Sequence, residues 1–225
     1  MIEIIPAIIP KSFIELKSEM SRVCGVVANV QIDIMDGSYA VGRTWPYQSN
    51  KPDADFQNII TEKEGFPFWE DLGFEVDMMT KNPENKLNDW IMAGVEALII
   101  HIETTKEIGK IIEKCRGANV KIGLALKPST PIDLLEQWIS KIDFVQFMGN
   151  DSIGRHGVEL DPVVFEKIKD LRKENPIIPI AVDIGVNFET APLLIEAGAT
   201  KLVSGSTIFE SLDVQEAISE LKGSL

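Results

Sequence analysis

The chain has 225 residues, 44% of them hydrophobic and 25% charged, and a formal net charge of −13 at pH 7. That acidity argues against nucleic acid or an anionic membrane surface as a partner, since both demand a basic patch. A phosphorylated small molecule stays open, because backbone N–H groups and helix N-termini hold phosphate locally. No apolar run reaches the ~18 residues of a membrane span, and no signal peptide opens the chain. Cys24 and Cys115 stand apart without metal-site spacing, as reduced thiols would. A cytoplasmic enzyme or binding protein is expected.

Apolar strand-like runs alternate with amphipathic helix-like runs from end to end. Strands are expected at about 2–7, 28–34, 73–79, 96–101, 120–126, 143–148, 178–183 and 201–204. Helices are expected near 12–22, 54–63, 84–93, 105–117, 132–140, 161–174, 188–197 and 213–222. The strands are short, rich in Ile and Val, and mostly continuous in apolar character, as buried parallel strands are. Eight such βα units in a chain of this length predict one (β/α)8 barrel domain over 1–225. A doubly wound open sheet is the alternative. It would normally carry a Gly-rich fingerprint after the first strand, where Pro6-Ala7-Ile8-Ile9-Pro10 stands instead.

Two irregular stretches interrupt the pattern. The connection from Ser38 to Asp53 carries Trp45, Pro46, Tyr47 and Pro52. A connection this long is either a functional loop or lid, or a surface excursion. Glu64 to Asp71 gathers Phe66, Pro67, Phe68 and Trp69, which suits packing over the barrel bottom or a subunit contact.

In a barrel, chemistry sits at the C-terminal strand ends. In the second strand, Gln31, Asp33 and Met35 alternate with Val30, Ile32 and Ile34 and so share one face. Asp36-Gly37 ends that strand as a turn. The other strand ends supply Ala7, Asp77 and Met79, His101 and Glu103, Lys127, Met148, Asp183, and Gly205-Ser206. Asp33, Asp77 and Asp183 therefore converge on one mouth. Unpaired, they would repel and raise at least one pKa. A divalent cation or a pair of opposed acid/base groups accounts for them; helix caps or turns would account for each singly. Glycines after strands six, seven and eight point to a phosphate site: Gly154, Arg155, His156 and Gly157, then Gly185, then Gly205 and Ser206.

With these residues in place the sequence resembles the ribulose-phosphate 3-epimerase family over nearly its whole length. The resemblance rests on Asp33-Ile34-Met35-Asp36-Gly37, Met79 through Pro83-Glu84, Ala93-Gly94-Val95-Glu96-Ala97, His101-Ile102-Glu103 and Pro128-Ser129-Thr130-Pro131. Val182-Asp183-Ile184-Gly185-Val186-Asn187 and the stretch from Ala197-Gly198-Ala199 to Gly205-Ser206-Thr207-Ile208-Phe209 complete it. The resemblance implies epimerisation of a ketose phosphate, ribulose 5-phosphate or a relative. Asp33 and Asp183 would exchange protons on opposite faces of an enediolate, and Met35, Met79 and Met148 would line it. It also implies a homo-oligomer.

The departures concern the metal. The resemblance implies two His and two Asp ligands, but Gln31 and Asp77 stand at the two His positions. His101 matches a separate His-x-Glu, and His156 lies in the phosphate loop. The set Gln31, Asp33, Asp77 and Asp183 is all oxygen if Gln31 turns its carbonyl inward. Such a set suits magnesium or manganese better than zinc or iron, or the protein uses no metal. Ala7 replaces a serine that would contact substrate, and Lys127 replaces an asparagine. Two other readings stay open: a magnesium-dependent decarboxylase or aldolase of sugar phosphates, with Lys127 as its mouth lysine, and a barrel that binds phosphate without catalysis.

Overall fold

The computed structural model describes residues 2–155 and 157–223, so His156 lies outside the described residues. Eight strands run β1 Glu3–Ile8, β2 Asn29–Met35, β3 Gly73–Met79, β4 Ala97–His101, β5 Lys121–Leu126, β6 Phe144–Met148, β7 Ile180–Asp183 and β8 Lys201–Ser204. Each pairs in parallel with the next. β8 returns to β1, from Glu3 opposite Lys201 to Pro6 opposite Ser204, closing a barrel.

The continuous apolar runs follow from burial on both strand faces. Val30, Ile32 and Ile34, with Val76, Leu98, Leu124, Val145 and Val182, belong to the outer core under the helices. Ile5, Ala7, Met35, Met79, Ile99, Ala125, Met148, Ala181 and Val203 form a second cluster inside the barrel. Period two thus sorts each strand between two cores.

The helices are α1 Phe13–Val23, α2 Ala54–Ile60, α3 Leu87–Met92, α4 Ile108–Gly117, α5 Val163–Glu174, α6 Thr190–Ala197, α7 Ser206–Phe209 and α8 Val214–Leu221. Ser12, Asp53 and Asp213 cap α1, α2 and α8 through side-chain oxygens that accept backbone N–H groups. The helix expected over 132–140 is absent. Two 3₁₀ turns, Ile132–Leu135 and Ile139–Lys141, stand there. Leu135 is their one buried residue, so this short segment lacks the apolar face that would pack an α-helix. The helix expected over 84–93 divides into a 3₁₀ turn at Pro83–Asn85 and α3.

The long loop after β2 is fastened to the core. Trp45 is buried, stacks on Phe13 at 5.1 Å between centroids, and meets Phe56 and Trp90 edge-on. Its backbone N–H donates to Pro10 O at 2.8 Å and its indole to Asp53 Oδ1 at 2.9 Å. The aromatic patch after α2 divides: Phe66 stacks on Phe74 of β3, while Trp69 is 66% exposed.

Candidate active site

The register of β2 against β3 sets Asp33 directly beside Asp77. Asp183 ends β7, opposite Met148 of β6 and Val203 of β8. One carboxylate oxygen from each of the three lies within 4.8 Å of the others, and all three side chains are buried.

Protein donors hold this triad together. The Gln31 amide nitrogen donates to Asp33 Oδ1 at 2.8 Å and to Asp183 Oδ2 at 3.1 Å. Without a cation, two crowded carboxylates draw the N–H end of the Gln31 amide, since a carbonyl there would add a fourth negative dipole. Asp77 is held from the other side. His101 Nε2 lies 2.9 Å from Asp77 Oδ1, and Gln146 Nε2 donates to Asp77 Oδ2 at 3.1 Å. The three carboxylates are therefore not unpaired. His101 replaces neither missing metal-binding histidine; it is the partner of Asp77.

The electrostatics follow from burial and crowding. Desolvation, then Asp183 and Asp77, push the Asp33 carboxyl well above the usual range. Desolvation and Asp77 push Asp183 up to about 7, against the Gln31 hydrogen bond that lowers it. Burial would pull His101 down, but the Asp77 charge and hydrogen bond outweigh it and raise its pKa. Two acids with raised pKa values, sharing one amide, suit proton transfer near neutral pH.

The residues also fit a hard cation. The donor atoms nearest one another are carboxylate oxygens, and Gln31 Oε1 is buried without a hydrogen-bond partner among the described residues. Half a turn of that amide would bring Oε1 to the carboxylates as a fourth oxygen ligand.

Above the triad lies a chamber lined by Ala7, Asp33, Met79, Met148, Arg155, Asp183 and neighbouring residues. Gly154 and Gly157 after β6, Gly185 after β7, and Gly205 and Ser206 after β8 line it too. The expected phosphate residues among those described thus meet the two acids in one space. Gln31 and Asp77 sit beneath it, fully buried. Met35 lies behind Gly154, where an added Cβ would come within 2.4 Å of its sulfur.

Lys127 does not line the chamber among the described residues. Its Nζ sits 4.4 Å from the centre of the Tyr39 ring. The Tyr39 hydroxyl donates to Glu103 Oε2 at 3.0 Å, and Glu103 also accepts from the Lys127 N–H and the Thr130 hydroxyl.

Several contributors were missed in the sequence. Gln146 carried a signal, as the one polar residue inside the β6 run Phe144–Met148. Thr44 carried none: its hydroxyl accepts from the Met35 N–H at 2.8 Å and donates to Asp33 O at 3.0 Å, tying the long loop to the strand of Asp33. Ile184, which lines the chamber, reads as an ordinary apolar residue. Ile184 follows Asp183 with a φ of 79°, a left-handed conformation costly for a β-branched residue. Ser204 and Thr207 hydroxyls bind Val186 O, and the Thr190 hydroxyl binds Gly185 O, clamping that turn.

A sequence model of the ribulose-phosphate 3 epimerase family matches residues 3–209. The chain belongs to this family. It is 32% identical over 231 aligned residues to the ribulose-phosphate 3-epimerase of Bacillus subtilis, covering all of both chains. To the Schizosaccharomyces pombe ribulose-phosphate 3-epimerase it is 27% identical, covering 99% of this chain and 93% of the yeast protein. Among solved structures, the 3-hexulose-6-phosphate synthase of Salmonella typhimurium superposes with a TM-score of 0.70 at 16% identity, covering 100% of this chain and 98% of the other. KGPDC from Streptococcus mutans superposes with a TM-score of 0.70 at 14% identity, covering 99% and 96%. These two likenesses show the barrel fold. The family makes the protein an enzyme, an epimerase. Among the described residues no helix is long and apolar enough to cross a membrane.

Proposed function

We propose that the protein epimerises a ketose phosphate, ribulose 5-phosphate or a related pentulose phosphate, at C3 through the pair Asp33 and Asp183. The observation that carries this reading is their placement: two buried acids with raised pKa values, on β2 and β7, lining one chamber with Gly185, Gly205 and Ser206. One acid, ionised, takes the C3 proton. The other, protonated, delivers a proton to the opposite face of the flat enediolate. The roles exchange in the reverse direction, so the Gln31 amide must serve both carboxylates, as its two hydrogen bonds allow. Glycine backbone and Arg155 at the far side of the chamber take the phosphate. The sulfurs of Met79 and Met148 give a polarizable wall to the delocalised anion.

Asp33, Asp77 and Asp183 would hold a divalent cation, magnesium or manganese before zinc or iron, and Gln31 Oε1 would join them only in a metal-bound state in which the amide gives up its bonds to Asp33 and Asp183. When bound, it supplies positive charge to the enediolate oxygens. The free thiols Cys24 and Cys115 support a cytoplasmic location. The test is uptake of solvent deuterium at C3 of ribulose 5-phosphate and related pentulose phosphates, with magnesium, manganese or zinc added in turn. Exchange that vanishes in Asp33→Asn and in Asp183→Asn supports the reading; no exchange with any ketose phosphate and any metal overturns it.

A further inference from the structure

β6 sends one polar residue into the barrel. Gln146 stands between Phe144 and Met148 on the inward face of that strand, and all three are buried. Its neighbours in register are Ala125 of β5 and Ala181 of β7. Two alanines leave room for the amide to cross the interior to β3, where its nitrogen donates to Asp77 Oδ2 at 3.1 Å. The same nitrogen lies 3.7 Å from the Met148 sulfur, within reach of an N–H to sulfur contact. One amide group thus meets a carboxylate of the triad and a side chain of the chamber wall.

The surroundings would suit an apolar residue better. Ala125, Phe144, Met148 and Ala181 all belong to the inner apolar cluster. Gln146 Oε1 is buried and has no hydrogen-bond partner among the described residues. A buried carbonyl oxygen without a donor is destabilising, and a leucine or methionine would fill the space without it. What the amide supplies is direction. Asp77 Oδ1 is met by His101 and Oδ2 by Gln146, so the carboxylate is kept from turning away from the like charges of Asp33 and Asp183. Met148 is unbranched and flexible, and an N–H on its sulfur selects one conformation. Met148 is paired in register with Asp183, and both line the chamber.

We propose that Gln146 is a positioning residue for the epimerisation, fixing the spacing of the carboxylate triad and the place of the Met148 sulfur opposite Asp183. This rests on the epimerase reading above. Gln146 is not among the residues that line the chamber, so it acts through Asp77 and Met148 rather than on the substrate. No bond to it forms or breaks in the reaction.

The experiment measures C3 deuterium uptake into ribulose 5-phosphate, or the related pentulose phosphate that the wild type exchanges fastest, by the wild type, Gln146→Met and Gln146→Leu. Methionine keeps the length of glutamine without an N–H, and leucine repeats the test should the methionine variant fail to fold. The expected result is a kcat lower by roughly tenfold or more, with KM within about threefold of wild type. KM is spared because Gln146 lies within β6, beneath the loops proposed to hold the phosphate. A kcat within about threefold of wild type in a folded variant overturns the proposal, as does a KM that rises as much as kcat falls. Loss of the fold in both variants also overturns it, since Gln146 would then be a structural residue. Uptake by the wild type into no pentulose phosphate overturns the epimerase reading and this proposal with it.

Discussion

Gln31 and Asp183, 152 residues apart in sequence, are joined by a 3.1 Å hydrogen bond from the Gln31 amide nitrogen, which also donates to Asp33 at 2.8 Å. One neutral side chain thus couples the two acids. The bond lowers the Asp183 pKa against the burial and charge that raise it. Gln31→Leu removes the donor, so the Asp183 pKa rises further and less of the base form exists at neutral pH. The acidic limb of the pH–rate profile is expected to move to higher pH, with at least a tenfold loss of exchange rate at pH 7. A profile unmoved from wild type would show that the bond plays no part in proton transfer.

In the proposed cation site, Gln31 and Asp77 would set the choice of metal. The double variant Gln31→His, Asp77→His places imidazoles where the wild type has oxygen donors. Its ratio of zinc to manganese affinity is expected to rise at least tenfold over wild type. Titration calorimetry reads this directly, and the visible spectrum of the cobalt-loaded variant should show nitrogen ligation that the wild type lacks.

Acid groups with raised pKa values make a definite statement about stability in chelator-treated protein. Asp33, Asp183 and His101 all hold protons more tightly folded than unfolded. Their contribution is therefore fully present below the unfolded pKa of each group and is lost as pH rises through the folded pKa. For Asp183 the window runs from about 4, the ordinary carboxylate range, up to about 7. The melting temperature without metal should fall between pH 5.5 and pH 8, and Asp183→Asn should flatten that fall. A melting temperature that rises over the same interval would contradict the assignment.

Asp77 and His101 form a fully buried pair, with His101 Nε2 2.9 Å from Asp77 Oδ1. His101→Leu strands the carboxylate and is expected to cost about 3–5 kcal/mol in urea unfolding. Adding Asp77→Leu should recover much of that loss, because two apolar side chains leave no charge without a partner. Equal or greater loss in the double variant would mean that the pair stabilises by more than mutual neutralisation.

The barrel could be read from alternation alone, because each strand sorts its residues between two apolar cores and each connection is long enough for a crossover. Asp33 stood out for the same reason, as a carboxylate on the inward face of β2. Its adjacency to Asp77 depends on register, which strand ends only suggest. The Gln31 orientation could not be read from sequence, because an amide's direction is decided by its neighbours' charges, and one of those, Asp183, comes from β7. The 132–140 segment was misread because its composition allows a helix, while the packing that would stabilise one is missing.

Thr44 has a consequence for observing this protein in solution. Its hydroxyl takes the Met35 N–H and gives its own proton to Asp33 O, so the amide of Met35 is shielded only while the loop from Asp36 to Asp53 is seated. Deuterium uptake at that single backbone amide should then report how often the loop comes away from the strand that bears Asp33. It is a clock for the integrity of β2, readable without substrate, metal or turnover.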